Sequence, residues 1–295
     1  MGWRIPPNLA RSGGSGNDAC PETGRLDAQR YMRRVQLFAI AESSWCPRDW
    51  REGLTDFLQW SSDHRRVYDP CVPLLAGALR AVDSRRVVDL DARGSGPWLR
   101  MLPALASRGL EPSVLLTDRT PNLRAFARAE LASDGAIRGD MRTVDARCVQ
   151  PELAGTRTMF SGFHRFAPPD ARAVLADAAR RGMPIAVVES TRRSWPALLA
   201  ALLVPLRVLS HTPMIRPFRW NRLFWTYLLP AIPVIACWDG IVSCLRSYST
   251  DELWALTRDI DIPDNWSWHV AEVGSEELVP LTLLIGTPGQ NTASA

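Results

Sequence analysis

The chain has 295 residues, 35 basic against 31 acidic side chains and a formal net charge of +4. Hydrophobic residues make up 46% and charged residues 22%, which excludes a disordered chain; 19 Gly and 23 Pro without a repeat exclude a collagen-like one. All 35 basic residues are Arg, scattered with no block of like charge, so the sequence carries no nucleic-acid footprint.

Residues 1–30 contain the Gly/Ser/Asn run 12–17 and read as a flexible tail. Residues 31–84 read as a helical cover, with Trp45, Trp50, Leu54, Phe57, Leu58 and Trp60 near helical spacing. From Arg86 short apolar runs alternate with amphipathic stretches. Strands are expected at 86–90, 114–118, 137–145, 158–163 and 185–189. Helices are expected between Pro97 and Gly109, over 121–133 and over 169–181, each with Pro near its start and Gly behind it. This alternation implies βαβ units, a parallel sheet and one α/β domain over 85–287. An apolar helix over 194–208 opens an insertion at 194–248 that reads as a lid; its part 210–245 is rich in Trp, Pro and Arg and shows no clear period. Ser249 and Glu252 form a capping box before another helix. Two last strands, 266–273 and 281–285, read as a hairpin, and 288–295 as a polar tail.

The longest uncharged run, 223–238, carries Pro230 and Pro233 and is shorter than the about 20 apolar residues that span a bilayer. Trp220, Trp225 and Trp238 near Arg216, Arg219 and Arg222 also have the composition of a membrane-peripheral surface, beside the reading as a buried lid segment. Cys20, Cys46, Cys71, Cys148, Cys237 and Cys244 form no CxxC pair and have no His at zinc-ligand spacing, and residues 1–20 lack an apolar signal core. The expectation is reduced thiols, no metal and a cytoplasmic protein.

A parallel sheet binds ligands at the carboxyl ends of its strands. Acids stand at four of five such ends: Asp89 and Asp91 after the first strand, Asp118 after the second, Asp145 after the third, Glu189 after the fifth. A carboxylate after the second strand can accept two hydroxyls of a ribose diol, and one after the third can accept from an adenine amino group. Singly, each also reads as a helix N-cap. His164 is expected to end the fourth strand, where a neutral imidazole can take a proton from an acceptor hydroxyl or amine, or simply be bonded into a loop. Asp239, Arg246 and Tyr248 read as a polar trio under the lid, or as an Asp239–Arg246 ion pair bracing it. His64, His211 and His269 are expected off the ligand face.

These residues resemble class I S-adenosylmethionine-dependent methyltransferases over roughly 35–272, in a bacterial branch with a Trp-rich N-terminal cover and a lid insertion. The more specific segments are Gly53 to Leu58, Thr117-Asp118 with Pro121-Asn122, Val144 to Arg147, Phe163-His164 with Phe166, Ile215 to Phe218, and Trp238 to Gly240 with Arg246 to Tyr248. The resemblance implies a Rossmann-like seven-strand sheet of order 3-2-1-4-5-7-6. It implies S-adenosylmethionine as cofactor, with Asp118 on the ribose, Asp145 near the adenine, and the turn from Asp89 through Arg93, Gly94 and Gly96 along the methionine part. That turn departs from the family, because Asp91, Arg93 and Ser95 stand at the three glycine positions. Arg93 would fill the methionine volume, point outward, or clasp the cofactor's carboxylate. His164-Arg165 also departs from the two consecutive histidines of many relatives. The apolar lid suggests methyl transfer to a hydrophobic or aromatic small molecule. The alternatives are a cyclase or rearrangement catalyst on the same fold, or a non-catalytic paralogue.

Overall fold

The computed structural model describes residues 32–82, 85–258, 260–263, 265–274 and 280–289. The tail expected at 1–30, and 290–295 of the C-terminal one, lie outside them. Seven strands form one sheet in the order β3-β2-β1-β4-β5-β7-β6. They are β1 (Arg86–Asp89), β2 (Ser113–Asp118), β3 (Ile137–Thr143), β4 (Thr156–Phe160), β5 (Ile185–Glu189), β6 (Trp266–Val273) and β7 (Leu281–Pro288). β1 to β5 are parallel, and β7 enters antiparallel between β5 and β6.

Four successive apolar positions, Ile185 to Val188, make β5 buried on both faces, as a central parallel strand must be. Ile185 and Val187 join the core with Val88, Met159, Val174 and Leu284. Ala186 and Val188 join the opposite core with Val87, Leu116, Trp98 and Leu283. Each such Ile, Val, Leu or Met side chain contributes about 1.5–3 kcal/mol on burial, so the sheet is anchored from both sides.

The helices of the cover are α1 (Arg48–His64) and α2 (Val72–Ala81). The crossovers are α3 (Trp98–Ala106), α4 (Leu123–Ala132, with Asn122 Oδ1 accepting from the amide of Ala125) and α5 (Pro168–Arg180). The insertion differs from its expectation twice. The helix expected at 194–208 is two, α6 (Trp195–Leu202) and α7 (Val204–His211), with Pro205 placed in the first turn of the second, where its missing N–H costs nothing. The segment without a clear period holds α8 (Trp220–Leu223), a π turn (Phe224–Leu228) and the long helix α9 (Ala231–Arg246). α9 is buried on much of its circumference, among Leu54, Phe57, Val208 and Ile215, so apolar residues occur without one stripe. α10 (Thr250–Arg258) starts at the expected box: Glu252 accepts from the Ser249 amide at 2.9 Å and its own amide donates to Ser249 Oγ at 3.2 Å.

Candidate functional site

β1 ends at Asp89 and turns sharply. Asp91 (φ 60°) and Arg93 (φ 52°), two of the three residues at glycine positions, take left-handed backbone, and Gly96 (φ 55°) takes the next. For a residue such as Arg this costs about 1–2 kcal/mol. Bonds hold the turn: the Ala92 amide donates to the Thr117 carbonyl and the Arg93 amide to Asp118 Oδ2 at 2.8 Å. Gly96 is required where it stands, because a Cβ there would lie 2.9 Å from Asp89 Oδ2.

The side chains above this turn form an ionic cluster. Glu42, from the cover segment before α1, meets three guanidiniums: Arg165 at 2.9 Å, Arg93 at 3.2 Å and Arg246 at 2.8 Å. Burial alone would raise the Glu42 carboxyl, but Arg165, Arg93 and Arg246 together hold it down to about 2. Arg165 also bonds Asp91, whose carboxyl is pushed up by burial against that pull. Asp118 is buried, and its Oδ1 takes the amide and hydroxyl of Thr120. Arg93 therefore points into the cluster, and its partner is a carboxylate of the chain itself.

Asp89 lies beneath the turn, 1% exposed, and accepts from Thr158 Oγ1 at 2.7 Å. Burial pushes its carboxyl up to about 7, although the Thr158 bond pulls the other way. With the unfolded carboxyl near about 4, this group's contribution is complete below about pH 4 and is lost as pH rises through the folded value. Asp89→Asn should thus match the wild type near about pH 4 and exceed it by about 2–4 kcal/mol near pH 8 in denaturant titrations. Equal stability at both pH values would mean that Asp89 is not buried as a carboxyl.

β4 ends two residues before the glycine that was expected inside it. Ser161 (φ 47°) breaks the strand, and Phe163–Arg165 form a 3-10 turn. His164 therefore lies past the strand end and not on it. Glu189, at the end of β5, builds this turn: Oε1 accepts the amides of Phe163 (2.7 Å) and His164 (3.2 Å), and Oε2 meets His164 Nδ1 at 2.8 Å. A carboxylate only accepts, so Nδ1 donates, and in the neutral ring the lone pair is on Nε2. Both side chains are buried.

The expected trio does not form. Asp239 accepts the amides of Ile40 (2.7 Å) and Ala41 (2.9 Å), fastening the cover to α9. Arg246 pairs with Glu42 and not with Asp239. The Tyr248 hydroxyl donates to the Phe166 carbonyl at 2.8 Å, and Arg34 lies 4.2 Å over its ring. Sequence spacing placed these groups together, but each is drawn to a different part of the cover or of the loop after β4. Asp145 is held by Arg147, which keeps its carboxyl down to about 2. Glu42 escaped the sequence reading because it lies in an irregular segment before α1, with no motif around it. Arg165 was visible only as a departure.

A cavity of about 500 Å³ lies on the other side of the turn, between α1 and α4. Gly94, Ser95, Gln59, Trp60, His64 and Arg128 are among its walls. Gly94 thus faces this cavity, and His64, stacked on Trp60 with ring centres 4.8 Å apart, lines it too.

The strand order with an antiparallel β7 is that of the class I S-adenosylmethionine-dependent methyltransferases, and the chain has this Rossmann-like fold. No family model matches it. It is similar to an O-methyltransferase family protein from Burkholderia thailandensis (19% identity, 77% of this chain and 57% of that one, TM-score 0.44). It is also similar to human N-acetylserotonin methyltransferase in complex with S-adenosylmethionine (12% identity, 82% of this chain and 57% of that one, TM-score 0.45). A curated protein from a Methylobacterium species, a tetraacyldisaccharide 4'-kinase, is 32% identical over 147 residues. That match takes in 46% of this chain, which spans only 43% of the length of that relative.

Proposed function

We propose that the chain is an S-adenosylmethionine-dependent methyltransferase in which His164 removes a proton from the hydroxyl or amine of a hydrophobic or aromatic acceptor. The observation that carries this reading is the Glu189–His164 pair at the end of β5 and past the end of β4, on the same carboxyl end of the sheet at which β2 closes in Asp118. Glu189 fixes the ring and its tautomer, which leaves Nε2 as the acceptor of a proton.

The residues at the turn suit the cofactor chemically. Asp118 is a buried acid where a ribose diol would be held; its own loop uses three of its about four lone-pair sites, which leaves one on Oδ2 for a ribose hydroxyl. Arg93 and Arg165 are fork donors for a carboxylate, and Glu42 stands between them as a carboxylate would. The cofactor, when bound, supplies a methyl group on a sulfonium. The chain's own part is to align the acceptor, keep water out beneath the cover and lid, and take the proton at Nε2 of His164. The sequence has no Lys and so carries no phosphate-binding loop of the G-x-x-x-x-G-K-[ST] kind.

Calorimetric titration with S-adenosylmethionine tests the reading. Asp118→Ala should weaken binding by about 1–3 kcal/mol, since it removes bonds to a charged acceptor. Unchanged affinity would leave Asp118 as a brace of the turn and nothing more. The closed ionic cluster favours a second reading, in which the fold is kept for a reaction without methyl transfer or for binding alone. A folded wild type that does not bind the cofactor supports that second reading.

A further inference from the structure

The insertion turns apolar side chains outward. Trp195, Leu199, Leu202 and Leu206 recur at helical spacing along α6 and the start of α7, and all are exposed, Trp195 at 73%. Trp220, Phe224 and Leu228 repeat the pattern along α8 and the π turn, with Trp220 at 79% and Leu228 at 71%. Two polar residues of that second stretch face inward: Arg222 is buried on Asp56 (2.8 Å) and the carbonyls of Ile215 and Pro217, and Thr226 is fully buried, while Asn221 stays exposed. The usual arrangement of a surface helix is reversed here. The Tyr227 hydroxyl bonds the Leu209 carbonyl, so the two stretches adjoin.

The insertion itself carries charge of one sign. No Asp or Glu lies between Glu189 and Asp239, whereas Arg207 and Arg216 are exposed and make no ion pair among the described residues. An exposed apolar patch that includes Trp195, Trp220 and Tyr227, on an insertion whose Arg207 and Arg216 make no ion pair among the described residues, matches the interface of an anionic bilayer. A symmetric dimer through this face would set it against a copy equally without acids, so charge disfavours a second chain as occupant. No single helix among the described residues is long and apolar enough to cross a membrane; two bent pairs, Trp195–Leu202 with Val204–Met214 and Trp220–Leu228 with Ala231–Arg246, are so only together, and the second of them ends in α9, which packs in the core. We infer that the outward face of α6, α7, α8 and the π turn docks the protein on the surface of an anionic phospholipid bilayer.

The test is flotation with vesicles of phosphatidylcholine alone, or mixed with phosphatidylglycerol, at low and high salt. The wild type should float with the mixed vesicles and lose most of this binding on plain phosphatidylcholine or in high salt. Combined Trp195→Glu and Leu206→Glu should weaken binding about tenfold or more, and combined Arg207→Gln and Arg216→Gln by a comparable factor, with melting temperatures unchanged. Three results would overturn the inference: no binding of the wild type to mixed vesicles, equal binding of the Glu variant, or a wild-type dimer in solution that the Glu variant dissolves. The last would assign the face to a second copy of the chain.

Discussion

Replacing His164 by alanine should lower turnover about 10²–10⁴-fold while the affinity for S-adenosylmethionine stays unchanged, as expected for loss of a general base. Glu189→Gln discriminates further. The amide nitrogen would face Nδ1 and donate to it, which moves the ring proton to Nε2 and removes the lone pair that takes the acceptor's proton. Glutamine keeps an oxygen for the amides of Phe163 and His164, so the turn should survive. Turnover should therefore fall in both variants, and the melting temperature of Glu189→Gln should stay close to the wild type. A variant at 164 that keeps full turnover would confine His164 to a structural role in the loop after β4.

A comparably large effect is expected on stability at Asp177. Arg157, on β4, is 1% exposed, and its guanidinium meets Asp177 of α5 at 2.8 Å. Burial pushes the Arg157 guanidinium down, and Asp177 pulls it back up. Asp177 also takes Arg181 at 2.9 Å and the amide of Val149 at 3.3 Å. Asp177→Ala leaves a buried guanidinium without its carboxylate and should cost about 3–5 kcal/mol. Replacing both partners, Arg157→Met with Asp177→Leu, should recover most of that loss, because neither charge then remains to be buried. The measurement is the shift of the urea midpoint at constant slope. A loss below about 1 kcal/mol in the single variant would place the pair in solvent, where such bridges contribute little.

The sheet was legible because its strands are short apolar runs set off by Pro and Gly, and every strand fell within a few residues of its expected place. The capping box at Ser249 was legible for a similar reason, since the two residues that make it are local. What failed was long-range pairing. Asp239 and Arg246 are seven positions apart on one helix, which suggested each other, yet their partners are some 200 positions away in the cover. Arg157 stands just ahead of the strand expected at 158–163, and only the packing of α5 on β4, which begins at Thr156, shows that it is buried. At the turn, the three departures from glycine were visible but their outcome was not. Asp91 and Arg93 keep the left-handed path because Asp118, Arg165 and Glu42 supply bonds to them, and Glu42 comes from a segment with no period or motif.

The central claim is that the turn after β1 is an S-adenosylmethionine site in which Glu42 stands for the cofactor's carboxylate. Calorimetric titration of the wild type and of Glu42→Gln with S-adenosylmethionine tests it most directly. The account predicts one saturable site in the wild type and about tenfold tighter binding in Glu42→Gln, because the arginine fork no longer has to release a carboxylate first. Absence of heat and of any thermal shift in both proteins, each fully folded, would contradict it.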